Sequence, residues 1–291
     1  MNEVNLPEML ESENHVVIGD AFYFPNMAHD FYHMSPGVSS STIRRFGQSQ
    51  LHALEEEIEE SHALRFGTAA HAYIVEGENE FNNTIACISG SPYTNANKQL
   101  KRDYESRGLT VISSADRDKI IQMDHALLPE GKKLLNPNED EFPGAFDSPY
   151  EVAIYWYEKG VLLKVKSDVL RHPIQSPYST NSIILVDYKT TADCSVRGFT
   201  SSVRKYQYDL QASWYKRAYE RAGFKVEGFC FVAQEKKPPY ASKIFWMKEE
   251  DLDKGWVKLD LLITQYKAVI NGEEPTVYNS PNSVEIKLNE D

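Results

Sequence analysis

The chain has too few cysteines for a disulfide framework: Cys87, Cys194 and Cys230 are scattered and never form a CxxC pair. Reduced thiols in a cytoplasmic protein are therefore expected. Long apolar runs are missing too. Stretches such as Ile183 to Val186 fall far short of the ~20 residues a membrane span needs, so no membrane association is expected. The opening MNEVNLPEMLESENH has no basic region followed by an apolar one, and no secretory signal is expected. No GxxxxGK[ST] loop occurs, which argues against ATP hydrolysis. GxSxG and HExxH are also absent. No repeat, low-complexity tract or long Pro/Gly/Ser linker divides the sequence.

What remains is a chain of 291 residues, 41% hydrophobic and 12% aromatic, enough to bury a core without disulfides or structural metals. Its formal charge of −12 is unevenly spread. Residues 151–240 hold 14 basic and 9 acidic side chains, a net of +5, whereas the rest hold 17 and 34, a net of −17. A locally basic stretch in an acidic protein suffices for a phosphate-binding cleft, because charges are screened over about 8 Å at physiological salt. A chance fluctuation on a solvated surface gives the same count.

The pattern reads as one domain in four parts. Residues 1–35 form an irregular, aromatic-rich strap, 36–145 a helical N-terminal part, 146–247 a core of sheet and helix, and 248–291 a C-terminal helix and tail. Ser40 and Ser41 suit helix N-caps ahead of a helix over 42–54, with the acidic run 55–60 as its solvated end. Further helices are expected over 64–75, 97–107 and 114–128. From Tyr150 the period changes to two, and Glu158-Lys159-Gly160 signals a hairpin. A strand over 183–189, a long helix over 204–221, strands over 226–233 and 244–247, and a helix over 249–270 follow. The fold class expected is α/β, with a central mixed sheet flanked by helices.

Asp168 and Asp187 each read as following a strand. Alternation puts Lys164, Lys166 and Asp168 on one face, and Asp187 and Lys189 on another with Tyr188 turned away. A carboxylate and an ammonium two residues apart, after the buried run ILV, could hold a metal beside a catalytic cation. A D-x-K tripeptide alone is equally a surface ion pair.

Four elements then carry a resemblance: GTAAH (Gly67 to His71), KSD (Lys166 to Asp168), DYKTTAD (Asp187 to Asp193) and YDLQASWY (Tyr208 to Tyr215). In order and spacing they resemble the RecB-like branch of PD-(D/E)xK nucleases, and within it RecE-type exonucleases (exodeoxyribonuclease VIII-like). Lys-Ser stands before Asp168 where the superfamily name has Pro, and Asp187 replaces the more usual Glu.

The resemblance implies a restriction-endonuclease-like core and a DNA exonuclease that uses Mg²⁺, or Mn²⁺ in its place, without ATP. It implies digestion of linear double-stranded DNA from 5′ to 3′, leaving 3′ overhangs for recombination through a single-strand annealing protein. It further implies a ring-shaped homo-oligomer of three or four subunits, of bacterial, phage or prophage origin. Asp168 and Asp187 match metal-binding carboxylates, His71 and the Tyr188 carbonyl further metal ligands, and Lys189 the catalytic lysine. Gln211 and Tyr215 match residues bordering the site. Relatives with an iron–sulfur cluster need four cysteines, which three cannot supply. Lys164, Lys166, Arg204 and Lys205 are candidate DNA contacts. Thr190 and Thr191 either bind phosphate or end the strand; Arg44 and Arg45, with Ser39 to Thr42, are further candidate phosphate contacts, although helix capping explains the serines equally well. The segment Ala21 to Phe31 and the helix over 249–270 are candidate subunit contacts. The rival readings are an endonuclease or single-strand nuclease on the same core, and a non-catalytic DNA mimic.

Overall fold

A computed structural model describes residues 6–25, 27–55, 61–138, 142, 145–173 and 181–278. Along the chain lie α1 (Glu8–Glu11), β1 (Val16–Ile18), β2 (Ala21–Phe24), α2 (His29–Met34), β3 (Val38–Ser39), α3 (Ser40–Gln48), α4 (Gln50–Glu55) and α5 (His62–His71). A π-helical turn (Ala72–Glu76) continues α5, followed by α6 (Glu78–Thr84), β4 (Ile85–Ile88), α7 (Asn95–Glu105), β5 (Thr110–Ser113), α8 (Ser114–Ala126) and α9 (Pro129–Leu135). The second half contains β6 (Tyr150–Glu158), β7 (Val161–Arg171), β8 (Ser182–Thr191), α10 (Val196–Tyr206), α11 (Tyr208–Arg221), β9 (Lys225–Glu235), β10 (Ser242–Trp246) and α12 (Glu249–Ile270).

The main sheet runs β1-β2-β6-β7-β8-β9-β10, with β3 added to β7, while β4 and β5 form a separate parallel pair. Most neighbours are antiparallel, but β8 and β9 are parallel over all ten residues from Ser182 to Thr191. One face packs against α11 and α12 through Leu185, Phe231, Trp214 and Leu259. The other packs against α5, α8 and α9 through Val186, Val232, Phe66 and Met123. This is the mixed sheet flanked by helices that the change of period implied. Trp156 and Trp214, both fully buried, meet edge to face at 5.3 Å, and Trp214 Nε1 donates to the Lys164 carbonyl at 3.0 Å. That bond fixes where α11 lies on β7, three residues from Gln211.

Side-chain caps open several helices, and each satisfies an otherwise orphaned N–H. Ser39 accepts from Thr42 N, Ser61 from Leu64 N, Ser113 from Asp116 N and Ser195 from Gly198 N. The cap of α3 is thus Ser39, one residue before those expected. The expected helix over 42–54 breaks at Ser49, where the backbone is extended; residues 56–60 of the acidic run lie outside the described residues. The expected helix over 204–221 is two helices, because Gln207 adopts the left-handed conformation between α10 and α11.

The N-terminal strap is not irregular. A two-residue Gly19-Asp20 loop, with Gly19 at φ +58°, joins β1 to β2. β2 then pairs with β6 and extends the main sheet. Ala21, Tyr23 and Phe24 are consequently buried in the chain's own core, so this part of the expected subunit contact faces inward.

Candidate active site

The site lies where two neighbouring strands part. β7 and β8 are paired at Val169↔Val186, Leu170↔Leu185 and Arg171↔Ile184 and no further. One step beyond that ladder, Asp168 and Asp187 would face each other. The same edge of β7 is taken up again by β3, at Leu163 and Lys164. Contrary to expectation, neither aspartate follows a strand; both lie inside one, because β7 runs on to Arg171 and β8 to Thr191. The fork needs its own satisfaction of backbone groups, and Asp168 Oδ2 supplies part of it by accepting the Tyr188 N–H at 2.9 Å.

Asp187 is fully buried. Its Oδ1 accepts from Gln211 Nε2 at 3.1 Å, and Gln211 Nε2 also donates to Tyr215 Oη at 3.0 Å. Lys189 Nζ stands 2.5 Å from Asp187 Oδ2 as an ion pair. The Tyr188 ring points to the opposite face, where its hydroxyl donates to Gln234 Oε1 at 2.8 Å. Alternation along β8 is therefore as read from the sequence.

On the other side stands α5. Gly67 packs close to β8, where an added Cβ would come 3.8 Å from Thr190 Oγ1. One turn on, His71 Nε2 lies 3.2 Å from Asp168 Oδ2 and 3.7 Å from Glu151 Oε1, while Nδ1 lies 3.1 Å from Glu76 Oε1. Glu76 is a residue the sequence reading missed. It follows His71 by five, off the helix face for an α-helix. The π-helical turn has i→i+5 bonding and brings it back beside the histidine. Glu151, read as structural, joins the group through a left-handed backbone at φ +52°, an uncommon conformation for a side-chain-bearing residue. It also accepts Lys166 Nζ at 2.8 Å.

Electrostatics divide these groups. Burial, then the Asp168 carboxylate, push the Asp187 carboxyl up to about 7, against the pull of Lys189. Burial would raise Asp168 as well, but His71, Lys189 and the Tyr188 N–H hold it below the usual range. His71 is raised well above an ordinary imidazole: burial opposes the charge, and Asp168, Glu76 and Glu151 outweigh it. Burial likewise opposes the Lys189 ammonium, and Asp187 and Asp168 keep it protonated.

A divalent cation fits these residues. His71 Nε2 and Asp187 Oδ2 are buried without an aligned hydrogen-bond partner, although both have an ion-pair neighbour. His71, Glu76 and Glu151 bring ligand atoms within 4.8 Å of one another. A hard cation bound to these carboxylates would compete with the proton that they favour on His71, and coordination by His71 requires its imidazole neutral.

The expected DNA contacts divide. Arg204 and Lys205 stand exposed at the end of α10. Lys164 does not: it is buried, and its Nζ donates to the Tyr32 carbonyl at 2.6 Å and the Ser35 carbonyl at 2.8 Å. Burial lowers its pKa to about 8. Lys166 is held by Glu151. Arg44 Nη1 donates to the Tyr206 carbonyl at 2.5 Å and so clamps the break between α10 and α11, and Arg45 donates to the His52 carbonyl at 3.4 Å. Thr191 turns its hydroxyl to the Asp193 carbonyl at 3.2 Å, ending the strand, while Thr190 remains half-buried beside Gly67. Of the four lysines and arginines of the basic stretch expected to touch DNA, Lys164 and Lys166 are thus engaged internally, and Arg204 and Lys205 are exposed. Lys164→Ala is accordingly expected to cost about 1–3 kcal/mol of stability, because the buried Ser35 carbonyl loses the ammonium while the Tyr32 carbonyl keeps only the Ser35 hydroxyl as donor, and to leave DNA affinity unchanged. Urea unfolding and a DNA titration check the two halves; weaker DNA binding at unchanged stability would restore the surface role.

The sequence pattern of the family described as "PDDEXK-like domain of unknown function (DUF3799)" matches residues 39–282. Among solved structures, the crystal structure of a "putative exonuclease" from Eubacterium rectale superposes with a TM-score of 0.60 at 17% sequence identity. It covers 91% of this chain and 96% of its own, a likeness that shows the fold. No curated protein matches the sequence. No helix among the described residues is long and apolar enough to cross a membrane.

Proposed function

The chain belongs to the PDDEXK-like DUF3799 family, and from that premise we propose that it is a divalent-metal-dependent DNA exonuclease of the RecE type. The observation that carries this reading is the convergence of Asp168, Asp187, Lys189 and His71 at the β7–β8 fork, with two buried polar atoms left unaligned. Asp168, Asp187, His71 and the Tyr188 carbonyl are the proposed metal ligands, and Glu76 and Glu151 widen the acidic wall behind them. Magnesium or manganese there would supply Lewis-acid stabilisation of the charge that builds on the scissile phosphate.

The chain's own residues do the rest. Lys189 holds a protonated ammonium at the same face as Asp187 and is placed to stabilise developing phosphoryl charge and orient the attacking water. In the hydrolysis the water oxygen forms a new P–O bond, the ester P–O bond breaks, and the departing oxygen takes a proton. Gln211 steadies Asp187 Oδ1 and ties it to Tyr215, whose phenol burial keeps protonated. No ATP enters this reaction.

The RecE likeness supports 5′-to-3′ digestion of linear duplex ends, a 3′ overhang handed to an annealing protein, and a ring of three or four subunits. Duplexes labelled separately at each strand end, with and without Mg²⁺, test the reading. Release of 5′-end label first, dependence on Mg²⁺ and intact closed circles are expected. Cutting of the circles would make the protein an endonuclease.

A further inference from the structure

A flat aromatic surface stands beside the fork, and the chemistry proposed above leaves it unused. The left-handed backbone of Gln207 (φ 52°, ψ 47°) turns the chain between α10 and α11. The turn stacks Tyr206 on Tyr208, with ring centroids 5.5 Å apart and 29° between the planes. Tyr208 is the inner ring. It leans on Phe199 at 6.3 Å and Phe231 at 5.6 Å, and Lys189 Nζ lies 5.2 Å from its centroid. Tyr206 is the outer ring and remains 49% exposed. Lys205 Nζ hovers 5.1 Å from that outer ring, and Arg204 is exposed on the same turn. Arg44, reaching across from α3, fixes the Tyr206 carbonyl. The column Lys189–Tyr208–Tyr206 thus runs from the proposed catalytic ammonium out to solvent, rigid at its base and open at its top.

We propose that Tyr206 is a stacking platform for an unpaired nucleobase next to the phosphodiester being cut, with Arg204 and Lys205 on the flanking phosphates. Core packing does not account for a half-exposed ring held this firmly. Base–aromatic stacking tolerates every sequence, since each base has a π face, and an enzyme advancing along arbitrary DNA requires that tolerance. A base arriving on the open side of Tyr206 displaces the flexible Lys205 ammonium from the ring toward the backbone. A base inside a duplex offers no free face and a terminal pair only its outer one, whereas an unpaired base can turn to meet the ring, so the platform favours frayed or single-stranded ends. The proposal rests on the nuclease reading and adds to it a feature of the substrate.

The test uses the full chain with Ca²⁺ in place of Mg²⁺, to hold DNA without rapid turnover. Two hairpin duplexes are compared: one ends in three unpaired nucleotides carrying 2-aminopurine, the other in a blunt, cross-linked pair. Wild type is expected to quench the 2-aminopurine on binding. Tyr206→Ala should lose that quenching and bind the unpaired end about tenfold more weakly, with the cross-linked end unaffected. Tyr206→Phe, which keeps the ring, should behave as wild type. The platform is overturned if Tyr206→Ala binds both hairpins as wild type does, or if Tyr206→Phe falls as far as the alanine variant. Parallel digestion with Mg²⁺ separates the two levels. If wild type cuts DNA and Tyr206→Ala is indistinguishable in binding, the platform alone fails; if wild type neither binds nor cuts, the nuclease reading fails with it.

Discussion

Asp187→Asn is expected to lower DNA hydrolysis by roughly 10²–10³-fold or more, the usual loss when one preorganised electrostatic group is removed from a reaction centre. The carboxylate is fully buried, two residues from Lys189, and holds one of the two unaligned atoms at the fork. The substitution keeps its shape and its bond to Gln211 while removing the charge a cation would bind. The same group has a pH signature. Its carboxyl is raised from the ordinary 3.8 to about 7 by burial first and Asp168 second. Between those values the folded chain keeps a proton that the unfolded chain releases, so this group's contribution to stability falls as pH rises. A cation must displace that proton, and its binding strengthens over the same window. The thermal shift caused by Mn²⁺ should therefore be larger at pH 8 than at pH 6 in wild type, and less steeply pH-dependent in Asp187→Asn, where only the His71 proton remains to be displaced. Undiminished cleavage by the asparagine variant would remove this carboxylate from the site.

Lys189→Ala should separate binding from chemistry. Its ammonium lies against Asp187 and over the Tyr208 ring, where it can meet a phosphoryl group but cannot ligate a cation while protonated. Cleavage is expected to fall by about 10²–10³-fold, with the Mn²⁺ thermal shift retained. Loss of both together, with the fold intact by circular dichroism, would assign the lysine to organising the carboxylates rather than to the reaction.

The parts of the site that were legible in sequence are those set by local periodicity. Alternation along β8 placed Asp187 and Lys189 on one face, and the spacing of Gln211 and Tyr215 placed both on one side of α11. The N-terminal hairpin was also written there, in the Gly-Asp pair between VVI and AFYF, a two-residue turn signal overlooked among aromatics that suggested irregularity. Other features depend on tertiary context that periodicity does not carry. A non-glycine residue in the left-handed region splits α10 from α11, and nothing about Gln207 announces it. The π-helical turn that returns Glu76 to His71 shifts the face by one residue and defeats α-helical counting. Lys164 alternates correctly with Lys166 and Asp168, but the neighbouring α2 covers it, so a residue counted toward a basic surface is an internal donor to carbonyls. Charge totals cannot distinguish those two roles.

The parallel ladder from Ser182 to Thr191 against β9 bears on how such a protein can change. Asp187 and Lys189 belong to the sheet's interior, and a one-residue slip would turn both to the wrong face. The aromatic column and the exposed cations belong instead to the turn at Gln207 and the end of α10. The proposed reaction chemistry and the proposed substrate contact thus stand on separate structural parts. On those two proposals, redesigning the α10–α11 turn would retune which DNA ends are accepted while leaving the β7–β8 residues untouched, making that turn the natural place to engineer new specificity.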